Sequence, residues 1–389
     1  MSDFHQRGLI STLPRLTSRS LDDLERRLCV LAEANRVALI LPCTLDDLRG
    51  PALRQIVTEL RSARYFSTIV VSVNQASMSD LCAIELLLGE DPRMVVLWND
   101  QPDWKRKFPG KGGKGFNLWT ALGYLHARGD CTCVVTHDTD ILNYTRELPA
   151  LLALPLLDPA LGYRFVKGYY PRLSESMGGQ LFGRVTRLVV GPLLRALIRV
   201  EGHSPLVDFL DGFRYPLAGE FGGRLDDLIQ FALPENWSLE MDLLCSVHRA
   251  LTPDTVAQVD LGSNYEHKHQ QIGNTNSGIT RLSTEIISCL LRQMSREGLR
   301  VTPDFLGALR AAYDKSARNT VRRYRHVALF NQFEYNEEKE LQLVEEISRF
   351  LTLASTDSAV SLIPWSELQR VQCYSIKDFP LVTLPGLKT

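Results

Sequence analysis

Over the first two thirds of the chain, short apolar runs rich in β-branched residues alternate with longer stretches whose apolar positions recur every three or four residues. Residues 36–43 (RVALILPC) read as a strand, 50–63 as a helix, 66–74 (FSTIVVSVN) as a strand and 79–89 as a helix. The alternation continues with a strand at 93–100, a helix at 115–129 and a strand at 131–140. Such βαβα order predicts an α/β fold, a mostly parallel sheet flanked by helices on both faces. From about residue 275 the pattern turns helical, with amphipathic stripes over 278–298, 302–331 and 336–354. The expected organisation is an α/β domain over 1–275 and a helical C-terminal region over 276–389, which would serve as a lid or dimerisation element.

Composition changes this picture little. The 389 residues are 44% hydrophobic and 23% charged, enough for one large or two ordinary domains. Lys and Arg total 44 against 45 Asp and Glu, so no global field attracts nucleic acid or an anionic membrane. The most apolar stretch, 148–163, is broken by Pro and Asp, short of the ~20 residues that span a bilayer. The N-terminus lacks the charged start and apolar core of a signal peptide. The eight cysteines are scattered and read as reduced core thiols. A cytoplasmic protein without a membrane segment is expected.

Candidate chemistry begins in VVTHDTDILNY, residues 134–144, which sets Asp138 and Asp140 one residue apart where an apolar run stops. Ligands of open α/β sheets bind beyond the carboxyl ends of the strands, although Asp and Thr also cap helices. Residues 104–119 hold Lys105, Arg106, Lys107, Lys111 and Lys114 among four glycines before a helix. Cations, close backbone approach and free helix-start N–H groups together describe a diphosphate cradle. Gly110, Gly112 and Gly115 match G-x-G-x-x-G literally, but that fingerprint must follow the first strand directly, so a dinucleotide fold is rejected.

Further along, Glu220, Glu240 and Asp242 stand near aromatics, a combination that suits a sugar. Residues 178–197 carry Arg184, Thr186 and Arg187 at a glycine-led helix start, where a second anion could sit. His267 and His269 alternate beside Glu266, a workable shell for a divalent cation. Each segment alone could equally be ordinary packing.

Taken in order, the segments LP, GKG, HDTD, VKGYYPR, GRVTRLV, PLAGEF, WSLEMDLL and LGSNYEHKH resemble the glucosyl-3-phosphoglycerate synthase family over roughly residues 36–270. The resemblance implies a retaining GT-A glycosyltransferase, with about 36–145 binding a nucleotide sugar and 146–275 the acceptor. It implies transfer of glucose from a nucleoside diphosphate glucose to the 2-hydroxyl of D-3-phosphoglycerate, with Mg²⁺ or Mn²⁺, by a homodimer. Pro42, Lys114, Asp138, Thr139, Asp140 and Glu240 fall on donor-binding positions, and Gly183, Arg184, Val185, Thr186 and Asn264 on acceptor-binding ones. Asp140, Glu240 and Lys114 take the catalytic roles; Asp140 and His267 take the metal, with Asp138 and His269 as further candidates.

The second strand ends in VNQAS, without the acidic residue that would read the donor's base or ribose, so the base stays open. Three alternatives remain at this stage: a mannosyl-3-phosphoglycerate synthase, a glucosylglycerate synthase, and a non-catalytic nucleotide-sugar-binding protein.

Overall fold

A computed structural model of the chain describes residues 6, 8–17, 20–81, 88, 91–109, 112–174, 179–262, 265–266, 277–352, 354 and 361–382. Its strands are β1 (Ser11–Leu13), β2 (Val37–Thr44), β3 (Phe66–Asn74), β4 (Met94–Trp98), β5 (Cys133–Thr136) and β6 (Phe165–Tyr169). There follow β7 (Leu173–Ser174), β8 (Gln180–Leu181), β9 (Phe221–Arg224), β10 (Leu233–Pro234), β11 (Val256–Asp260) and β12 (Ser361–Leu362). Eight of them form one sheet in the order β1-β11-β6-β9-β5-β2-β3-β4.

Neighbours in this sheet run parallel except around β9, which is antiparallel to both β5 and β6. The expected α/β architecture therefore holds, with one reversed strand at its centre. Period-two alternation explains the layering: Ala38 and Ile40 join one core, while Val37, Leu39 and Leu41 join the other. The helices Leu21–Ala34, Pro51–Leu60 and Glu147–Leu157 contribute to the second core. The first is covered by Lys114–Arg128, Gly191–Glu201, Leu239–Ala250 and the C-terminal helices. β9 packs closely on the helix Glu147–Leu157, where a Cβ at Gly222 would lie 2.7 Å from Leu156 Cδ1 and 3.0 Å from the Val134 carbonyl oxygen.

The three C-terminal helices, Ser277–Arg296, Pro303–Phe330 and Glu337–Phe350, bury their stripes in the same core as the sheet. Tyr313 donates to the Leu188 carbonyl at 2.9 Å, and Arg187 is held by Glu340 through two bonds of 2.8 and 3.0 Å. Beyond them the chain crosses the molecule. β12 pairs with β10, the Trp98 N–H donates to the Pro380 carbonyl at 2.8 Å and the Val382 N–H to the Val96 carbonyl at 3.1 Å. The C-terminal segment thereby covers the open edge at β4, where unpaired N–H groups would otherwise invite association.

Trp365 anchors that segment. It stacks on Trp119 at a centroid separation of 4.3 Å, its indole N–H donates to the Trp119 carbonyl at 2.7 Å, and Trp119 donates back to the Ile363 carbonyl at 2.7 Å. Only glycine at position 123 leaves room, because a Cβ there would sit 2.1 Å from the Trp365 ring. Gly123→Ala is expected to lower stability by about 1–3 kcal/mol through overpacking, read as a shift of the urea midpoint; an unchanged midpoint would show that Trp365 is not anchored there.

Candidate active site

The helix Lys114–Arg128 begins directly behind the carboxyl ends of β2, β3 and β4, and a buried polar chain pins it there. Asn117 donates to the Cys43 carbonyl at 2.9 Å and accepts from Asn99 at 2.8 Å, while Ser72 donates to the Asn117 carbonyl at 2.8 Å. Gly115 lies so near β10 that a Cβ would fall 2.0 Å from the Pro234 carbonyl oxygen. Gly112 and Gly113 have φ of 86° and 99°, which lead the chain into the first turn. The Lys114 ammonium is thus delivered to a defined place.

That ammonium bridges two carboxylates from distant parts of the chain. Lys114 Nζ lies 2.6 Å from Asp138 Oδ1 and 2.8 Å from Glu240 Oε1. Burial pulls its pKa down, but Asp138 and Glu240 outweigh this and push it well above its ordinary value. Asp138 in turn packs against Gly219, where a Cβ would lie 2.3 Å from Asp138 Oδ2. Thr139 closes the same turn, its hydroxyl donating to the Pro42 carbonyl at 3.0 Å. Five of the six expected donor-binding residues are therefore tied together directly: Lys114, Asp138 and Glu240 by charge, Pro42 and Thr139 by a hydrogen bond.

Asp140, the sixth, follows in the same loop. With Asp138 it raises the pKa of Asp47, whose burial is the larger cause and whose Thr44 hydrogen bonds oppose it. Arg172 faces this acidic group: burial weakens its guanidinium, but Tyr215, Tyr170 and Asp140 over-compensate and raise its pKa. Asp47, Asp138 and Asp140 thus share one electrostatic field, but among the described residues no group of three or more His, Cys, Asp or Glu side chains is arranged to hold a metal ion.

Beneath the pair lies a second lysine. Lys167 on β6 is fully buried, donates to the Ala218 carbonyl at 2.7 Å and stands 5.7 Å from the centre of the Phe221 ring. Burial lowers its pKa to about 8, against the pull of Glu240. Between about pH 8 and the ordinary lysine value near 10.4 the unfolded side chain holds a proton that the folded one has shed. Folding stability therefore gains as pH rises through that window. Lys167→Met is expected to remove this gain, on the order of 1–3 kcal/mol, seen by comparing urea midpoints at alkaline and neutral pH. Equal slopes in both proteins would mean that the amine stays charged.

The diphosphate cradle expected over 104–119 needs a correction. Residues Pro102–Lys107 form a separate helix before the glycines. Lys105 pairs with Asp100 at 2.5 Å, Arg106 with Asp103 at 3.1 Å and Lys107 with Asp378 at 3.9 Å, so these cations are engaged away from the Lys114 junction. Gly110 and Lys111 lie outside the described residues. The cradle contracts to Gly112, Gly113 and Lys114.

On the other side, Gly183 (φ 70°) turns the chain into a π-helical segment, Val185–Val190, that continues as the helix Gly191–Glu201. π-turns recur at functional sites because they displace backbone groups from the regular ladder. Arg184 is pulled below its usual pKa by burial and by the like charge of Arg187, with Glu340 opposing. Arg187 is itself committed to Glu340, which sets it apart from the anion position expected of it. Two of the acids expected to face a sugar are also placed elsewhere. Asp242 is buried against Gln293 and Cys289, and Glu220 is buried behind Asp138, bonded to the Tyr170 hydroxyl.

Asn264, His267 and His269 lie outside the described residues. Asp47, Lys167, Tyr170 and Arg172 were not singled out from sequence. The last three sit in VKGYYPR, and Asp47 in the Thr44–Asp47 capping box, whose spacing was the available signal.

No family model matches the chain. Crystal structures of glucosyl-3-phosphoglycerate synthase from Mycobacterium tuberculosis share the fold; the one with Mn²⁺, uridine diphosphate and phosphoglyceric acid superposes with a TM-score of 0.57 at 21% identity, over 76% of this chain and 88% of that one. Mannosyl-3-phosphoglycerate synthase from Rubrobacter xylanophilus reaches 0.57 at 22% identity, over 75% and 83%. These neighbours establish a GT-A glycosyltransferase fold. In sequence, the glucosyl-3-phosphoglycerate synthase of Methanococcoides burtonii is 31% identical over 86% of this chain and 85% of that protein. That of Persephonella marina is 33% identical over 89% and 87%, and by this measure the chain belongs to the glucosyl-3-phosphoglycerate synthase family.

Proposed function

We propose that the protein is a metal-dependent retaining glucosyltransferase that moves glucose from a nucleoside diphosphate glucose to the 2-hydroxyl of D-3-phosphoglycerate, giving glucosyl-3-phosphoglycerate for glucosylglycerate synthesis. The observation that carries the reading is the junction of Lys114 with Asp138 and Glu240, which joins the nucleotide half of the sheet to the helix Leu239–Ala250. Relatives with this fold support the ligands: one Mycobacterium tuberculosis structure holds Mn²⁺, uridine diphosphate and glucosyl-3-phosphoglycerate.

The donor diphosphate gains negative charge as the glycosidic bond breaks. Lys114, kept protonated by its two carboxylates, faces that charge. Asp138 orients the ammonium, and Gly219 leaves space for Asp138. Glu240 holds the sugar beside the lysine, and the Pro42–Thr139 contact fixes the turn that receives the nucleoside. Asp140 is the carboxylate assigned to Mg²⁺ or Mn²⁺, with His267 as its partner ligand. The bound cation supplies charge neutralisation at the diphosphate. Gly183, Arg184, Val185 and Thr186, with Asn264, receive the acceptor's anionic groups, Arg184 by charge and the segment by its free N–H groups.

The same reading places the enzyme in the cytoplasm as a homodimer. Buried unpaired thiols suit a reducing compartment, no helix of the described residues is long and apolar enough to cross a membrane, and Leu329 and Phe330 leave 61% and 88% of their surfaces open to a second copy.

The test is a product assay pairing UDP-, GDP- and ADP-hexoses with 3-phosphoglycerate or D-glycerate, with and without metal. A phosphorylated glucoside formed only with metal is the expected result. A mannoside or an unphosphorylated product would reassign the specificity, and no glycoside from any pairing would overturn the reaction.

A further inference from the structure

Beside the acceptor segment, a cleft of about 400 Å³ opens between the helices Gly191–Glu201 and Pro303–Phe330, and four arginines line it: Arg187, Arg195, Arg214 and Arg323. Val190, Leu194 and Phe213 give it an apolar floor, and Thr186 borders it. Glu340 neutralises Arg187, and Asp211 is the one carboxylate in the lining.

The other three guanidiniums have no ion-pair partner among the described residues. Arg195 is bonded to two neutral hydroxyls, Ser316 at 3.1 Å and Thr320 at 2.8 Å. Arg214 lies over the Tyr169 ring at 5.2 Å; the Arg195 pKa is lowered chiefly by burial, with Asp211 opposing and the nearby Arg323 adding a smaller lowering. Three guanidiniums against the single carboxylate of Asp211 leave a net positive cleft that favours entry of a further counter-charge. Bidentate guanidinium forks match the oxygens of phosphate and carboxylate. The remaining hydroxyls and apolar floor match a small, partly apolar body.

We propose that this cleft is a binding site for a small anion carrying a phosphate or carboxylate group, held by Arg195, Arg214 and Arg323. The anion is either an extension of the acceptor past Thr186 or a separate phosphorylated metabolite. The inference does not require turnover, since it rests on the cleft alone.

The experiment titrates the full-length protein, without donor or metal and at low ionic strength, with inorganic phosphate and with 3-phosphoglycerate, by calorimetry. Wild type is expected to bind at least one of them saturably. Arg323→Gln, at an exposed position, is expected to weaken that binding about tenfold or more, the loss of one charged hydrogen-bonding group. Arg322→Gln, which removes the neighbouring side chain bonded to Asn319, is expected to leave it unchanged. If Arg323→Gln also raises KM for 3-phosphoglycerate, the acceptor reaches into the cleft; if it weakens phosphate binding with KM unmoved, the occupant is a separate anion. Absence of saturable binding to wild type, or equal loss in both variants, or none in either, overturns the site. Failure of the product assay with anion binding intact would instead overturn the reaction and leave the cleft standing.

Discussion

Asp140→Ala protein is expected to form glycoside at no more than about a thousandth of the wild-type rate, since charge stabilisation by a bound cation contributes several kcal/mol to such transition states. Asp138 stands in the same turn but is held by Lys114 at 2.6 Å, so its free coordination is reduced and it cannot simply replace its neighbour. The measurement is kcat/KM across a Mn²⁺ titration, together with Mn²⁺ affinity by calorimetry. Asp140→Ala should lose both. Retention of metal affinity and turnover would transfer the ligand role to Asp138 and sink the assignment.

Lys114→Met is expected to lower kcat by about 10²–10³, the usual consequence of removing one pre-oriented group that meets developing negative charge. Methionine keeps the length of the stem, so the buried walls persist while the charge disappears. Asp138 and Glu240 are then left facing each other without a cation between them. A loss in kcat with KM for 3-phosphoglycerate unmoved would locate the defect at the donor, whereas a pure KM effect would contradict it.

The pH dependence follows from the same junction. The folded pKa of Lys114 is raised, so its stabilisation is complete below the ordinary lysine value and is lost only as pH rises through the higher folded value. No activity limb from this group is expected between pH 6 and 9. Gly219→Ala attacks the junction from the other side by forcing a Cβ into the Asp138 carboxylate. It should reproduce the kcat defect more weakly, about tenfold, with the lysine intact.

How much of this was legible beforehand differs by element. The β2, β3 and β4 runs and the helix Lys114–Arg128 were readable because alternation along a strand and three-to-four spacing along a helix are properties of a few consecutive residues. The D-x-D turn was readable for the same reason, as a polar break after an apolar run. The cradle expected over 104–119 did not separate the helix Pro102–Lys107 from the glycines that follow it, although the proline at its first helical position is a helix-start signal.

Left to itself, the sequence determined the first alternating strands and helices, the C-terminal helices, the α/β class and a short list of candidate acids and cations, since these depend on local patterning and side-chain chemistry. Only the tertiary structure decided which of them meet. Lys114 and Glu240 are 126 residues apart, Arg187 and Glu340 are 153 apart, and Trp119 and Trp365 are 246 apart. Nothing in a local pattern distinguishes Lys114, which joins two carboxylates, from Lys105, which sits on an exposed ion pair. That difference arises when the sheet brings the ends of its strands together and burial turns a nearby opposite charge into a requirement.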